Sequence, residues 1–246
     1  MALREEFEKI GSSFFKLRSY LPLLMAALFL IALRNFAYPA HRHDLDRMWE
    51  IGCLVISLFG FGIRLVTVGY APKGTSGRGT HRPTAEVLNT TGMYSLIRHP
   101  LYLGNFFIWF GIVLSVRSFW FSLAAVLAYW LYYEKIMFME EEFLRRKFGE
   151  LFEKWSGETP AILPNFKRWR SPQLHFSFKK AVGKECSAPL GIISAMAVLD
   201  IIGDRVAEGR FEIDLMWFTL FVASLLTYLT ILTLRKKTKL LDAGER

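Results

Sequence analysis

Two short groups of polar residues lie beside apolar stretches of this sequence, and their residue types are the ones best suited to chemistry. Arg98-His99-Pro100 begins one apolar stretch, and Glu140-Glu141 follows another. A guanidinium, an imidazole and two carboxylates can together bind a ligand of mixed charge or move a proton. Each residue also has an ordinary explanation, because charged side chains are common at the ends of membrane helices.

Helix lengths predict that the two groups meet. Proline suits the first turn of a helix, so a helix should begin at Pro100 and continue to Val116. The chain then returns through residues 119–139, which is about as many residues. Antiparallel helices of similar length place the start of the first level with the end of the second. The side chains expected in one pocket are Arg98, His99 and Tyr102 on one side and Glu134, Glu140 and Glu141 on the other.

Apolar stretches predict an all-α, polytopic membrane protein. Of the 246 residues, 52% are hydrophobic, and they cluster in runs. A helix needs about 20 mainly apolar residues to cross the hydrocarbon core of a bilayer. We predict about six transmembrane helices, at residues 19–38, 49–70, 100–116, 119–139, 188–203 and 212–234.

The distribution of basic residues predicts an orientation. With six spans, the segments on the side of both termini hold 23 of the Lys and Arg residues, and the opposite loops hold 5. Basic loops remain in the cytoplasm, so both termini and the polar groups should be cytoplasmic. The net charge of +9 then indicates contact with anionic lipid headgroups rather than nucleic acid. We expect the inner membrane of a bacterium, or the endoplasmic reticulum of a eukaryote.

The chain divides into three parts: two leading spans (1–70), a central block (71–170) and a basic segment with a C-terminal pair of spans (171–246). The loop at 71–83 contains three glycines and two prolines, which break helix and strand patterns. It is either a flexible connector or a surface on which glycine amides and basic side chains contact an anion.

The charges of the two polar groups suit S-adenosylmethionine, although charge alone identifies a ligand weakly. This cofactor carries an amine, a sulfonium and a carboxylate. Carboxylates would bind its cationic parts, and a basic residue or a helix N-terminus would bind its carboxylate. No metal is expected at this site.

Two separated motifs on either side of the predicted hairpin carry a family resemblance. They read Leu88-Asn-Thr-Thr-Gly92-Met-Tyr94-Ser-Leu-Ile-Arg98-His99-Pro100-Leu-Tyr102-Leu-Gly104, then Glu140-Glu141-Glu-Phe-Leu144, Phe148-Gly149, Pro160 and Pro164. The segment 88–164 resembles the superfamily of isoprenylcysteine carboxyl methyltransferases and phospholipid methyltransferases, which are integral membrane enzymes.

The resemblance implies S-adenosylmethionine as the cofactor, a lipid or lipid-linked acceptor that enters from the bilayer, and a pocket closed by the segment after the hairpin. The cofactor-binding residues it implies are His99, Pro100, Tyr102, Gly104, Glu140 and Glu141. The catalytic candidates are Arg98, His99 and Glu141, and the substrate-binding candidates are Arg78, His81, Arg82 and Tyr94.

This sequence departs from the family pattern at three positions. Met93 stands where proline is usual, and Phe152 and Trp155 stand where tyrosines are usual. Phe152 and Trp155 therefore do not supply the hydroxyl groups that tyrosines carry at these positions.

The sequence leaves several methyl acceptors open. The basic loop favours an anionic acceptor, such as a lipid phosphate or a prenylcysteine carboxylate, while an amine or thiol would need His99 or a glutamate as a base. The alternatives are methylation of a small soluble thiol, a nicotinamide-dependent enzyme similar to sterol reductases, and a non-enzymatic membrane scaffold that uses the basic stretch at 165–187.

Overall fold

A computed structural model describes residues 3–18, 20–36, 43–72, 84–209, 211 and 213–238. These residues form helices, turns and loops without a strand, so the predicted all-α class is confirmed for them. The helices are α1 (Leu3–Leu17), α2 (Leu21–Ala32), α3 (His43–Tyr70), α4 (Met93–Leu96), α5 (Pro100–Leu114), α6 (Phe119–Phe148), α7 (Glu150–Glu158), α8 (Phe178–Glu185), α9 (Ser187–Glu208) and α10 (Leu215–Lys237).

Three stretches of described helix are long and apolar enough to cross a membrane. They are Leu45–Tyr70, Phe178–Glu208 and Leu215–Lys237, and they indicate an integral membrane protein. Helix α5 has 15 residues and is therefore about 22 Å long, shorter than a hydrocarbon core of about 30 Å. The number of six spans, the cytoplasmic termini and the division into three parts stay predictions.

The tightest helix contact among the described residues joins α3 to α5. The two backbones approach at a pair of glycines. A Cβ atom on Gly60 would lie 2.4 Å from the carbonyl oxygen of Gly104, and one on Gly104 would lie 2.9 Å from the carbonyl oxygen of Gly60. The Ser57 hydroxyl also donates a hydrogen bond of 2.9 Å to the Ile108 carbonyl oxygen. Small residues allow this approach in membrane helices, and α3 thereby positions α5.

An apolar core lies between α2, α3, α5, α9 and the start of α10. Its buried members include Phe29, Cys53, Ile112, Met196 and Trp217. Helix α10 packs mainly against α9, and Trp217 near its start reaches the apolar core.

Helix α1 is amphipathic and lies along α6. The carboxylate of Glu142, which is 2% exposed, accepts hydrogen bonds from Arg4 and Arg145. The Tyr132 hydroxyl donates a hydrogen bond of 2.5 Å to the backbone oxygen of Phe14, and the two rings stack at 4.7 Å. Through Arg4, the buried carboxylate of Glu142 therefore helps to hold α1 against α6.

Replacing Glu142 with alanine is expected to loosen α1 from α6. Arg4 and Arg145 lose a shared partner, and the lost charged hydrogen bonds are worth about 1.5–3 kcal/mol. Amide hydrogen exchange in α1 should therefore accelerate by about tenfold or more. Glu150→Ala, at an exposed position, is the control and should leave α1 unchanged; equal exchange in both variants would contradict the anchoring role.

Candidate functional site

The two polar groups of the sequence lie side by side at one end of the α5–α6 hairpin. His99 Nε2 is 2.8 Å from Glu141 Oε1, and Arg98 Nε is 3.2 Å from the same oxygen. The Tyr102 hydroxyl donates a hydrogen bond of 2.7 Å to Glu140 Oε1, and His99 Nδ1 is 3.8 Å from Glu140 Oε2. We call these five residues the Arg–His–Glu cluster.

The backbone before α5 holds the cluster in place. His99 precedes the helix, with Pro100 in its first turn. The amide of Arg98 donates a hydrogen bond of 2.9 Å to the Pro160 oxygen, and the Leu96 oxygen accepts one of 2.9 Å from the Asn165 amide. The chain after α7 therefore lies along the chain before α5, and covers the cluster on one side.

Burial and charge separate the two carboxyls of the cluster. Burial raises the pKa of Glu140, while the neighbouring His99 and the Tyr102 hydroxyl oppose that rise. Burial also acts to raise the pKa of Glu141, but the hydrogen bond and charge of His99 and the charge of Arg98 outweigh it, so its pKa is lowered. Two adjacent carboxyls with pKa values shifted in opposite directions are typical of binding and catalytic sites.

A cavity of about 1330 Å³ opens from the cluster. Its polar end is lined by Arg98, His99 and Glu140, with the rings of Tyr94 and Tyr133 beside them. From there it continues along α5 and α9, where the lining becomes apolar. The site therefore combines a small polar end with a long apolar extension.

The two residues that replace the usual tyrosines have a packing role. Phe152 is fully buried and Trp155 is 7% exposed, and both pack against Leu88. The Trp155 indole donates a hydrogen bond of 3.0 Å to the Tyr94 backbone oxygen. Helix α7 thus closes the polar end with apolar side chains and one indole.

A buried ion pair lies where the polar end of the cavity meets its apolar extension. The sequence did not indicate that its two residues pair. The Arg64 guanidinium donates to both carboxylate oxygens of Glu185, at 2.9 and 2.7 Å. It also donates to Asn105 Oδ1 at 2.6 Å. Arg64 was recognisable as a charge within a span, but Glu185 lies in a basic stretch far along the chain and carried no such signal.

Two expected neighbours of the cluster lie elsewhere. Glu134 was expected in the pocket, but its side chain is 56% exposed and pairs with Lys135 at 3.5 Å; it lies on another face of α6. Gly104 contacts α3 rather than the cavity: a Cβ atom there would lie 2.6 Å from Arg64 Cγ. Its role in cofactor binding stays a prediction.

The candidates for acceptor binding divide into two groups. Tyr94 lines the cavity, and burial, with the nearby charge of Glu140, raises the pKa of its hydroxyl. Arg78, His81 and Arg82 lie outside the described residues.

Comparison with known proteins places the cluster within a recognised family segment. The phospholipid methyltransferase family matches residues 52–151, which include α5, α6 and every residue of the cluster. A protein-S-isoprenylcysteine O-methyltransferase of Schizosaccharomyces pombe is 33% identical over 80 residues, 32% of this chain and 34% of that protein. Residues 52–151 are therefore similar to the integral membrane methyltransferase family, and we call this segment the methyltransferase core.

Two other relatives of this methyltransferase core have names that refer to metals. A nickel-cobalt-cadmium resistance protein of Alcaligenes xylosoxydans xylosoxydans is 32% identical over 128 residues, 51% of this chain and 57% of that protein. A cobalt-zinc-cadmium resistance protein of Cupriavidus metallidurans is 32% identical over 127 residues, 51% of this chain and 56% of that protein. The match thus spans little more than half the length of these relatives.

The names of these relatives raise the question of a metal site. In the part of the chain that the structure describes, no group of three or more His, Cys, Asp or Glu side chains is arranged to hold a metal ion. No solved structure matches the chain.

The family match ends at residue 151, so the methyltransferase core does not include Glu185 or the α9 wall of the cavity.

Proposed function

We propose that this protein transfers a methyl group from S-adenosylmethionine to a lipid-linked acceptor, at a site on the cytoplasmic side of a membrane. The observation that carries the proposal is the Arg–His–Glu cluster at the polar end of a cavity that continues into a mainly apolar extension. The polar end suits a charged cofactor, and the apolar extension suits a lipid. The family of the core supports a methyltransferase.

The cluster has the donors and acceptors that this cofactor requires. The buried carboxylate of Glu140 suits the amine and the sulfonium, while Arg98 and the N-terminus of α5 suit the cofactor's carboxylate. The guanidinium of Arg98 has five N–H donors, so it can contact a ligand carboxylate as well as Glu141. When bound, the cofactor supplies an electrophilic methyl group.

The residues of the chain would act mainly by position and by exclusion of water. Glu141 holds both His99 and Arg98 through one oxygen, and so orients the two basic side chains. Trp155 lines the polar end with apolar surface, and the buried Phe152 packs beside it. Holding the reacting atoms within about 3–3.5 Å in a dry site is the main requirement of a displacement reaction.

The charges that line the cavity favour an anionic acceptor. Four basic side chains line the described part of it, against two carboxylates. The basic residues are Arg18, Arg64, Arg98 and Lys184, and the acidic ones are Glu140 and Glu185. A phosphate or carboxylate headgroup is attracted by this excess of positive charge, and an ionised acceptor needs no base.

The proposal is tested by reconstituting the purified protein in lipid vesicles with cofactor labelled in its methyl group. The label is expected in the extracted lipid, with a gain of one methyl group in mass for one lipid class. Label only in a volatile product, after addition of a small thiol, would favour thiol methylation instead. Absence of label from both fractions would contradict methyl transfer.

The raised pKa of Glu140 predicts how cofactor affinity depends on pH. If its carboxylate binds the cationic part of the cofactor, affinity falls as the pH is lowered through this pKa, at a higher pH than for an ordinary glutamate. Tyr102→Phe removes a hydrogen bond that holds the pKa down, so the midpoint should move to higher pH.

This shift is measured by titrating cofactor affinity against pH in both proteins. Tyr132→Phe is the control, since its hydroxyl bonds to α1 rather than to Glu140. A midpoint that is the same in all three proteins would show that Glu140 does not bind the cofactor as a carboxylate.

A further inference from the structure

Helix α9, which follows the methyltransferase core in sequence, forms one long wall of the cavity. The residues that line it recur every three or four positions and so lie on one face of the helix. They include Ser187, Ala188, Gly191, Ala195, Val198 and Ile202. The opposite wall is one face of α5, which includes Leu101, Asn105, Ile108, Trp109 and Ile112.

The dimensions of this channel match one hydrocarbon chain in one leaflet. From Leu101 to Ile112 the α5 wall is about 17 Å long at about 1.5 Å per residue. Half of a hydrocarbon core of about 30 Å is about 15 Å. The channel begins near the Arg–His–Glu cluster, and near its far end it is lined by Ile112 and Leu199, which are buried in the apolar core.

Two apolar helix faces that line an open channel are unusual in a packed protein. Helices that pack directly have their axes about 8–10 Å apart, and an unfilled apolar cavity destabilises a protein by roughly 24 cal/mol per Å³. Small residues on α9, among them Ala188, Gly191 and Ala195, hold the channel open. Gly191 lines the cavity, and a Cβ atom there would meet no atom within 4 Å, so the cavity is open beside this glycine.

The entrance of the channel is charged, which fixes the orientation of an occupant. Arg64, Lys184 and Glu185 line it between the cluster and the apolar wall, and Ser187 begins the α9 face. An amphiphile with an anionic headgroup would place that headgroup there and its chain along α5 and α9.

We propose that the channel between α5 and α9 binds a single hydrocarbon chain of the methyl acceptor, and that α9 selects the acceptor by the width and depth it leaves for that chain. The identification of the occupant as the acceptor rests on the proposed function. The C-terminal helices are then a selectivity element attached to the methyltransferase core, with α10 packed against α9.

The test uses hexadecyl phosphate that carries a photoactivatable group at the end of its chain. The probe is crosslinked to the full-length protein in detergent micelles without cofactor, and the labelled peptides are identified by mass spectrometry. We expect labelling on α5 and α9 near Ile112 and Leu199, suppressed by excess unlabelled hexadecyl phosphate. Labelling that does not saturate would show ordinary lipid contact and overturn the proposal.

Gly191→Leu is the decisive variant, with Gly52→Leu as its matched control. Both glycines lie in membrane helices with no atom within 4 Å of an added Cβ, but only Gly191 lines the described cavity. Overfilling a site costs about 1–3 kcal/mol, so Gly191→Leu should lower saturable labelling by about tenfold. Gly52→Leu should not change it. Equal labelling in the two variants would overturn the proposal.

A second variant tests independently whether the depth of the channel selects the acceptor. Ala195 lies about 12 Å along α9 from Ser187, so Ala195→Phe should weaken hexadecyl phosphate more than octyl phosphate in competition with the probe. Equal weakening would contradict selection by depth. These experiments need neither cofactor nor methyl transfer. Saturable chain binding without affinity for S-adenosylmethionine would refute the proposed function, but it would still support a hydrocarbon chain as the occupant of the channel.

Discussion

Replacing Glu141 with alanine is expected to lower the affinity for S-adenosylmethionine by about a hundredfold. One oxygen of Glu141 contacts both His99 and Arg98, at 2.8 and 3.2 Å, and without it the two basic side chains lose their orientation. Truncation of one partner in a buried charged pair costs about 2–5 kcal/mol, and about 1.4 kcal/mol corresponds to tenfold in affinity. Equilibrium dialysis with labelled cofactor measures the change.

The matched control is Glu134→Ala on the same helix. Its side chain is 56% exposed and pairs only weakly with Lys135 among the described contacts, so cofactor affinity should be unchanged. If the Glu141 variant keeps the affinity of the unmodified protein, as the Glu134 variant should, the cluster is not part of the cofactor site. A loss of affinity in both would show that the effect is general rather than local.

Replacing Gly60 with leucine is expected to disrupt the fold. A Cβ atom at this position would lie 2.4 Å from the Gly104 carbonyl oxygen and 2.6 Å from the Ile108 amide nitrogen, and backbone atoms cannot move aside as side chains do. Helices α3 and α5 would have to separate. Overpacking of this kind costs about 3 kcal/mol, which corresponds to a fall in Tm of about 10 °C for a chain of this size.

Thermal unfolding in detergent micelles measures this effect, with Gly52→Leu as the control on the same helix. Gly52 is exposed and has open space beside it, so its variant should keep the Tm of the unmodified protein. If Gly60→Leu unfolds at the same temperature as Gly52→Leu, the contact between α3 and α5 does not hold the core together.

The part of the site that helix length determines was predictable from the sequence. Pro100 marks the start of one helix, and the similar numbers of residues before and after the turn at Arg117 bring residues near His99 and residues near 135–142 to the same end of the hairpin. The argument does not depend on details of packing, because helix rise per residue is constant. It says nothing about rotation around the helix axis, which is why Glu134 was expected in the pocket and is found on an exposed face.

Contacts between distant parts of the chain could not be predicted in this way. The pairing of Arg64 with Glu185 and that of Arg4 with Glu142 depend on how α8 and α1 fold back onto the core. Helix periodicity records which face is apolar, but not which helix covers it. The close contact of Gly60 with Gly104 has the same origin, since each glycine alone was compatible with several partners.

The basic loop at residues 71–83 was predicted to help recognise an anionic acceptor. Arg78, His81 and Arg82 lie outside the described residues, so their part in recognising an anionic acceptor stays a prediction. The described lining of the cavity now carries that argument through Arg64 and Lys184. Both are contributed by helices rather than by the loop.

The measurement that tests the central claim most directly is equilibrium binding of S-adenosylmethionine and of reduced nicotinamide cofactor to the same purified protein. We predict saturable binding of S-adenosylmethionine at one site, weakened by Glu141→Ala, and no saturable binding of the nicotinamide cofactor. Binding of the nicotinamide cofactor alone would contradict the account and favour a reductase on a related scaffold.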